Sequence, residues 1–195
     1  MAIKPILFNT EMVRAILEGR KSCTRRINKD ANDYVVPDMD FYDSDKRTYA
    51  VHNYADKEHT DKLSIAERTC PICPSDILYV RESYSELSFG YVYKADGENI
   101  DHLGNVIKWH PSIHMPKEAA RICLKVTNVR VERLQDMTDD DAEAEGCFDY
   151  TSTALGFPDV WDSTIKKSDL DSYGWDANPW VWVIEFERCE KPEGV

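Results

Sequence analysis

The stretch Trp180-Val181-Trp182-Val183-Ile184-Glu185-Phe186 carries the strongest strand signal in the chain. Aromatic and β-branched residues fit the pleated surface of a sheet, and this run contains little else. Working outward from it, further strand-like runs lie at 6–8, 77–80, 91–94 and 121–133. Only two short helices are indicated, one at about 11–18 before Gly19, the other between the caps Thr138 and Gly146. This pattern predicts a mainly β protein with short helices (α+β), a β-barrel with helical plugs rather than a doubly wound sheet.

Two polar stretches interrupt this pattern, at about 30–68 and 149–177. Neither shows a sustained hydrophobic period, and segments of this length between elements tend to be functional or mobile. We therefore predict one domain over 1–195 with insertions at these two places.

The composition bounds the possible functions. The chain has 195 residues, 24 Lys and Arg against 36 Asp and Glu, and a net charge of −12. It has no apolar run of about 18 residues and its first residues lack a signal-peptide pattern, so we expect a cytoplasmic protein without a membrane span. The acidity argues against a protein that coats duplex DNA, although it leaves room for a cleft that binds one nucleotide.

The six cysteines are expected to be free thiols in such a compartment. The one close pair is Cys70-Pro71-Ile72-Cys73. A zinc site with His110 and His114 can be imagined, but a second close cysteine pair is lacking, and a proline-stiffened loop is favoured. We predict no metal and no cofactor.

A basic segment is the first candidate site. Between Arg14 and Lys29 there are six basic residues and one acid. One interpretation is a solvated turn whose cations offset a helix C-terminus. In the other, Lys21 acts as a base towards the Thr24 hydroxyl, while Arg25 and Arg26 hold an anionic substrate group.

Three further candidates lie elsewhere. Glu145 stands in the last turn of the acidic helix, where the helix dipole and Asp141 favour its protonated form. Trp109 and His114 belong to a proline-bracketed loop that either stacks a nucleobase or packs as a stiff connection. Glu82 follows a predicted strand and is either a functional carboxylate or an ion-pair partner.

Taken together, these residues resemble a known family. The turn Gly19-x-Lys21-x-x-Thr24-x-Arg26 after a short helix is similar to the signature of ASCH domains. The block 134–146 and the final 182–186 look like that family's second helix and closing strand. Several other stretches, among them Pro111 to Pro116, resemble larger ASCH-like proteins of phages and prophages.

The resemblance implies a PUA-like β-barrel with a cleft for a nucleotide or RNA. Some small bacterial ASCH proteins are amidohydrolases that remove the acetyl group of N4-acetylcytidine, and their lysine, threonine and glutamate match Lys21, Thr24 and Glu145. We therefore predict a hydrolase acting on an acylated nucleoside, with Arg25, Arg26, Glu82, Trp109 and His114 as substrate-binding candidates. The alternatives are a non-catalytic module that binds single-stranded RNA or a modified nucleotide, an acidic protein that sequesters a basic factor, and a ribonuclease.

Overall fold

The computed structural model describes residues 1–97, 99–147, 153–193 and 195. Within these residues the strands are β1 (Ile3–Leu7), β2 (Cys23–Ile27), β3 (Val35–Asp43), β4 (Thr48–Tyr54), β5 (Lys62–Thr69), β6 (Ile77–Arg81), β7 (Tyr84–Leu87), β8 (Gly90–Tyr93), β9 (Cys123–Arg133) and β10 (Trp180–Cys189). The helices are α1 (Thr10–Leu17), α2 (Asp139–Ala144), α3 (Thr153–Thr164) and α4 (Leu170–Tyr173).

The chain divides into two compact units. Unit 1 comprises Met1–Ser22, Pro74–Thr127 and Phe186–Val195, and unit 2 comprises Cys23–Cys73 and Asn128–Glu185. Strands β9 and β10 each contribute residues to both units. The single domain expected from the sequence stays a prediction.

Unit 1 is built on β1, β6 and the first half of β9. Strand β1 runs parallel to β6, with Ile3 opposite Ile77, and β6 runs antiparallel to β9, with Leu78 opposite Leu124. Helix α1 buries Val13, Ala15 and Ile16. Its N-cap is Asn9, whose side chain accepts a hydrogen bond from the Met12 N–H at 2.9 Å, and Thr10 is the first helical residue.

Unit 2 contains two sheets and a helical segment. Strand β10 runs antiparallel to β2, and β3, β4 and β5 form a separate antiparallel sheet. The edge of the Trp182 ring meets the Tyr49 ring of β4, with centroids 5.0 Å apart. Helices α2 and α3 cover a core that consists of Leu134, Met137, Ala142, Phe157, Trp161, Val181 and Val183.

Most predicted elements are present. The mainly β class is confirmed, as are the strands near 77–80, 91–94, 121–133 and 180–186 and both predicted helices. Among the described residues, however, no sheet closes into the predicted barrel, since each sheet ends in two edge strands, and β3, β4 and β5 pair with one another in a sheet of their own. Among those same residues, no helix combines the length and apolarity needed to cross a bilayer.

The two predicted insertions are ordered elements. The segment 30–68 contains β3, β4 and nearly all of β5, and the described part of 149–177 is largely helical. Helix α3 starts at Thr153, and the rest of that second prediction, 149–152, lies outside the described residues.

Candidate functional site

Strand β2 places three candidate residues in unit 2. Thr24 lies opposite Ile184 of β10, Arg25 opposite Val183 and Arg26 opposite Trp182. Successive side chains of a strand point to opposite faces, so Thr24 and Arg26 share one face and Arg25 lies on the other. Thr24 and Arg25 are buried, with 1% and 2% of their surface exposed.

Arg26 is bound directly to the Thr24 hydroxyl. Its Nη1 donates to Thr24 Oγ1 at 2.6 Å and to the carbonyl oxygen of Arg25 at 2.8 Å. Burial lowers the pKa of Arg26, and the carboxylate of Glu145 counteracts this shift. A guanidinium at this distance stabilises negative charge that develops on the threonine oxygen.

Arg25 is surrounded by carboxylates. Its Nη2 lies 2.7 Å from Glu132 Oε1 and 3.2 Å from Asp141 Oδ1, and its Nη1 lies 3.4 Å from Glu145 Oε1. Burial opposes the charged form, but Glu145 and Glu132 outweigh it and raise the pKa of Arg25. Arg25 is therefore a fixed positive charge inside unit 2.

Helix α2 positions Glu145. At its start, Thr138 and Asp141 form a capping box, in which Asp141 takes the place of the usual glutamate. At its end, the Gly146 N–H donates to Glu143 and the Cys147 N–H donates to Ala142, which is the Schellman pattern. Glu145 is the C-cap residue between these bonds, and 5% of its surface is exposed.

Lys21 is positioned in unit 1 by the same type of helix end. The Gly19 N–H donates to the carbonyl of Ile16 and the Arg20 N–H to that of Ala15, which closes α1 with another Schellman motif. Gly19 has φ +76, the left-handed conformation that glycine adopts without strain. Lys21 follows with 4% of its surface exposed, and its Nζ lies 5.5 Å from the centroid of the Phe8 ring.

The other candidates also lie in unit 1. Glu82 is 1% exposed and accepts two hydrogen bonds from Arg121, at 3.0 and 3.1 Å. Burial raises the pKa of Glu82, although Arg121 opposes this shift. The geometry of Glu82 thus matches the ion-pair interpretation.

Trp109 and His114 are more accessible. Trp109 is half-buried and its Nε1 donates to Asn99 Oδ1 at 3.4 Å. His114 is exposed, and its carbonyl oxygen accepts a hydrogen bond from the Tyr84 hydroxyl at 3.1 Å. Both stay substrate-binding candidates.

The cysteine pair forms a local turn in unit 2. Cys70 and Cys73 are each 1% exposed, and their Sγ atoms donate to the carbonyls of Ile72 and Cys70 at 2.8 and 3.4 Å. In the part of the chain that the structure describes, no group of three His, Cys, Asp or Glu side chains is arranged to hold a metal ion.

The sequence interpretation missed Glu132 and Arg130. Both lie on β9, where Arg130 Nε donates to Glu132 Oε2 at 3.0 Å and Arg130 Nη2 donates to Asp141 Oδ1 at 2.9 Å. The sequence held only an indirect signal for them. An arginine on a buried strand needs carboxylate partners, but the sequence does not indicate which carboxylates these are.

No protein-family model matches the chain, and no curated protein matches it. Two solved structures are similar to it. One of them is an ASCH domain. This domain, from Lactobacillus crispatus JV V101, has a TM-score of 0.47 and 10% identity over 96% of this chain and 79% of that one.

The other similar structure is the hypothetical protein PH0355. Its TM-score is 0.38 at 14% identity, over 97% of this chain and 100% of that one. At this identity, any assignment of activity rests on the residues of the chain itself.

Proposed function

We propose that the protein is a hydrolase that removes an acyl group from a modified nucleoside, with an N4-acetylcytidine-like amide as substrate. The observation that carries the proposal is the buried cluster of unit 2, in which a guanidinium binds the Thr24 hydroxyl and two guanidiniums act electrostatically on Glu145. Lys21 joins the proposal because it lies three residues before Thr24 in the chain. The resemblance of Lys21, Thr24 and Glu145 to the ASCH amidohydrolases supports the same assignment.

In the proposed reaction, Lys21 takes a proton from the Thr24 hydroxyl, or from a water that this hydroxyl positions. The oxygen forms a bond to the carbonyl carbon of the amide, and Arg26 or a backbone N–H stabilises the oxyanion. The Glu145 carboxylate takes this proton from Lys21 and passes it to the leaving nitrogen as the carbon–nitrogen bond breaks, so that both groups return to their starting protonation states. The products are the free nucleoside and the carboxylic acid, released after hydrolysis of an acyl-threonine if Thr24 is the nucleophile.

The proposal is tested by incubating the protein with N4-acetylcytidine and following cytidine by chromatography. We expect turnover by the wild type and a loss of kcat of roughly 10²–10⁴-fold in Lys21→Met and Glu145→Gln, because each removes a proton-transfer group. Thr24→Val tests the hydroxyl with little change in shape. Glu143→Gln, an exposed acid two residues before Glu145, is the matched control and should stay near the wild-type rate. A wild type without turnover on acylated nucleosides refutes the proposal.

A binding module without catalysis is the second candidate. It is favoured by one observation in unit 1, where the half-buried Trp109 ring and the exposed His114 lie on one short loop. An indole can stack on a nucleobase, and such contacts serve single-stranded RNA or a modified nucleotide. Saturable binding of an acylated nucleoside with no product, weakened by Trp109→Ala, would support this candidate over the hydrolase.

A further inference from the structure

Arg25 was expected to contact substrate, but its surroundings give it a different role. Its side chain has no exposed surface, and three carboxylates occupy its guanidinium: Glu132, Asp141 and Glu145. A guanidinium presents five N–H donors in a rigid fork, and those on Arg25 are directed at protein acceptors. An anionic substrate group would have to displace a buried ion pair to reach it, at a large cost in free energy.

We propose that Arg25 is a positioning residue that fixes the Glu145 carboxylate for proton transfer. The inference rests on the proposed function, since it assigns Arg25 a role in the same reaction. Arg25 does not contact the substrate and acts through Glu145.

The positioning follows from how α2 is held. The helix has six residues, too few to be stable by itself, so its place depends on side-chain contacts. Asp141 and Glu145 are four residues apart and lie on the same side of the helical turn. Arg25 Nη2 contacts the first and Nη1 contacts the second, so one guanidinium of β2 fixes two points of α2. Glu132 anchors the same guanidinium to β9.

A lysine in place of Arg25 would keep the charge but not this geometry. An ammonium group is a point charge without the planar fork, and cannot contact all three carboxylates in the same directions. Position, and not charge alone, is therefore what Arg25 contributes.

Arg130 provides a matched control within the same network. It contacts Glu132 and Asp141, as Arg25 does, and its third described carboxylate partner is Glu185 rather than Glu145. Arg130→Gln consequently disturbs the shared carboxylates. If both arginines only stabilise the fold, their substitutions should lower kcat equally. If Arg25 acts through Glu145, its substitution should lower kcat more than that of Arg130.

The test compares kcat and KM for N4-acetylcytidine in Arg25→Gln, Arg25→Lys and Arg130→Gln, with folding checked by circular dichroism. We expect Arg25→Gln to lower kcat by about 100-fold with little change in KM, as expected for a misplaced catalytic group. The kcat of Arg25→Lys should lie between those of Arg25→Gln and the wild type. If Arg25→Gln does not fold, the kcat of Arg25→Lys decides whether Arg25 positions Glu145. Arg130→Gln, which leaves the contact between Arg25 and Glu145 in place, should lower kcat much less than Arg25→Gln does.

A double variant separates positioning from other causes. If Arg25 acts through Glu145, adding Arg25→Gln to Glu145→Gln causes no further loss of kcat, because residues that act as a unit are not additive. Three results would overturn the inference while leaving the proposed function intact. They are a wild-type kcat in Arg25→Gln, equal losses of kcat in Arg25→Gln and Arg130→Gln, and additive losses of kcat in the double variant. A wild type without turnover overturns the proposed function, and the inference with it.

Discussion

At the scale of single residues, half of the cations of the basic segment, residues 14–29, are paired with nearby acids. Arg14 contacts Glu11 and the carbonyl of Ala95, and Arg20 pairs with Glu18. Arg25 is enclosed by carboxylates. Residues 14–29 therefore do not form a broad positive surface, since three of their six cations are paired with acids.

The thiols provide a prediction at this scale. Burial, followed by a hydrogen bond with Cys73, raises the pKa of Cys70 to about 12. Because the thiolate is the reactive form, native Cys70 and its buried neighbour Cys73 should react with a disulfide reagent at pH 8 only as fast as unit 2 opens. The half-buried Cys147 and Cys189 should label first.

Mass spectrometry of labelled peptides over time would measure these rates. In urea all six cysteines should label together, which serves as the control for reagent access. Fast labelling of Cys70 or Cys73 in the native protein would contradict the burial that the structure shows.

At the scale of elements, the capping box of α2 gives a stability prediction with a defined pH dependence. Burial tends to raise the pKa of Asp141, but bonds from Thr138 and the charge of Arg25 outweigh it, and the pKa is lowered from 3.8. A lowered pKa means that the ionised carboxylate stabilises the fold above about pH 3.8, and that this contribution is lost as the pH falls through the lower folded value. Asp141→Asn should therefore lower the free energy of unfolding by about 2 kcal/mol at pH 7.

Urea unfolding at pH 7, 5 and 3 checks this expectation. The difference between wild type and Asp141→Asn should be similar at pH 7 and 5 and should shrink at pH 3. Asp140→Asn, an exposed acid of the same first turn, is the control and should change stability little. Equal effects of the two substitutions would show that Asp141 contributes only through the helix dipole.

Elements whose own residues mark both their type and their ends were predictable from the sequence. Strand β10 is dense in β-branched and aromatic residues, and α2 has the N-cap Thr138 at its start and Gly146 directly after its C-cap. Strands β3 to β5 were missed because their buried residues, Tyr49, Ala50 and Val51, are consecutive on β4, while β3 is mostly half-buried and β5 is mostly exposed. Such strands show no period of two in the hydrophobic pattern, so their pairing depends on contacts that are distant in sequence.

The candidate site divides in the same way. Lys21 and Thr24 were proposed from a motif with fixed spacing, and Glu145 was selected from its acidic run by the family resemblance; all three stay predictions. The partners of Arg25 come from β9 and α2, more than 100 residues away in the chain, and Arg25 itself was expected to contact substrate. An ion-pair network of this kind has no sequence signature, because each carboxylate taken alone looks like a solvated acid.

At the scale of the whole molecule, a net charge of −12 and a basic segment with half of its cations paired predict which nucleic acids can bind. A protein that neutralises many phosphates loses affinity steeply with salt, in proportion to the number of phosphates contacted. A site for one neutral nucleoside contacts none. We therefore expect the affinity for N4-acetylcytidine, measured by calorimetry with the Glu145→Gln variant, to change less than about twofold between 50 and 200 mM salt.

The same charge argument predicts how labelled duplex DNA and single-stranded RNA bind. By fluorescence anisotropy at 50 mM salt, duplex DNA should bind more weakly than the roughly 10⁻⁴–10⁻⁶ M that is typical of non-specific binding proteins, because acidic residues outnumber basic ones by half. Single-stranded RNA distinguishes the two proposed functions, since a hydrolase for a single nucleoside gains nothing from flanking phosphates. One result would contradict the nucleoside hydrolase and favour the RNA-binding module: RNA binding that is tight at 50 mM salt, weakens steeply by 200 mM and is lost in Trp109→Ala. Stacking and phosphate contacts would then supply the affinity.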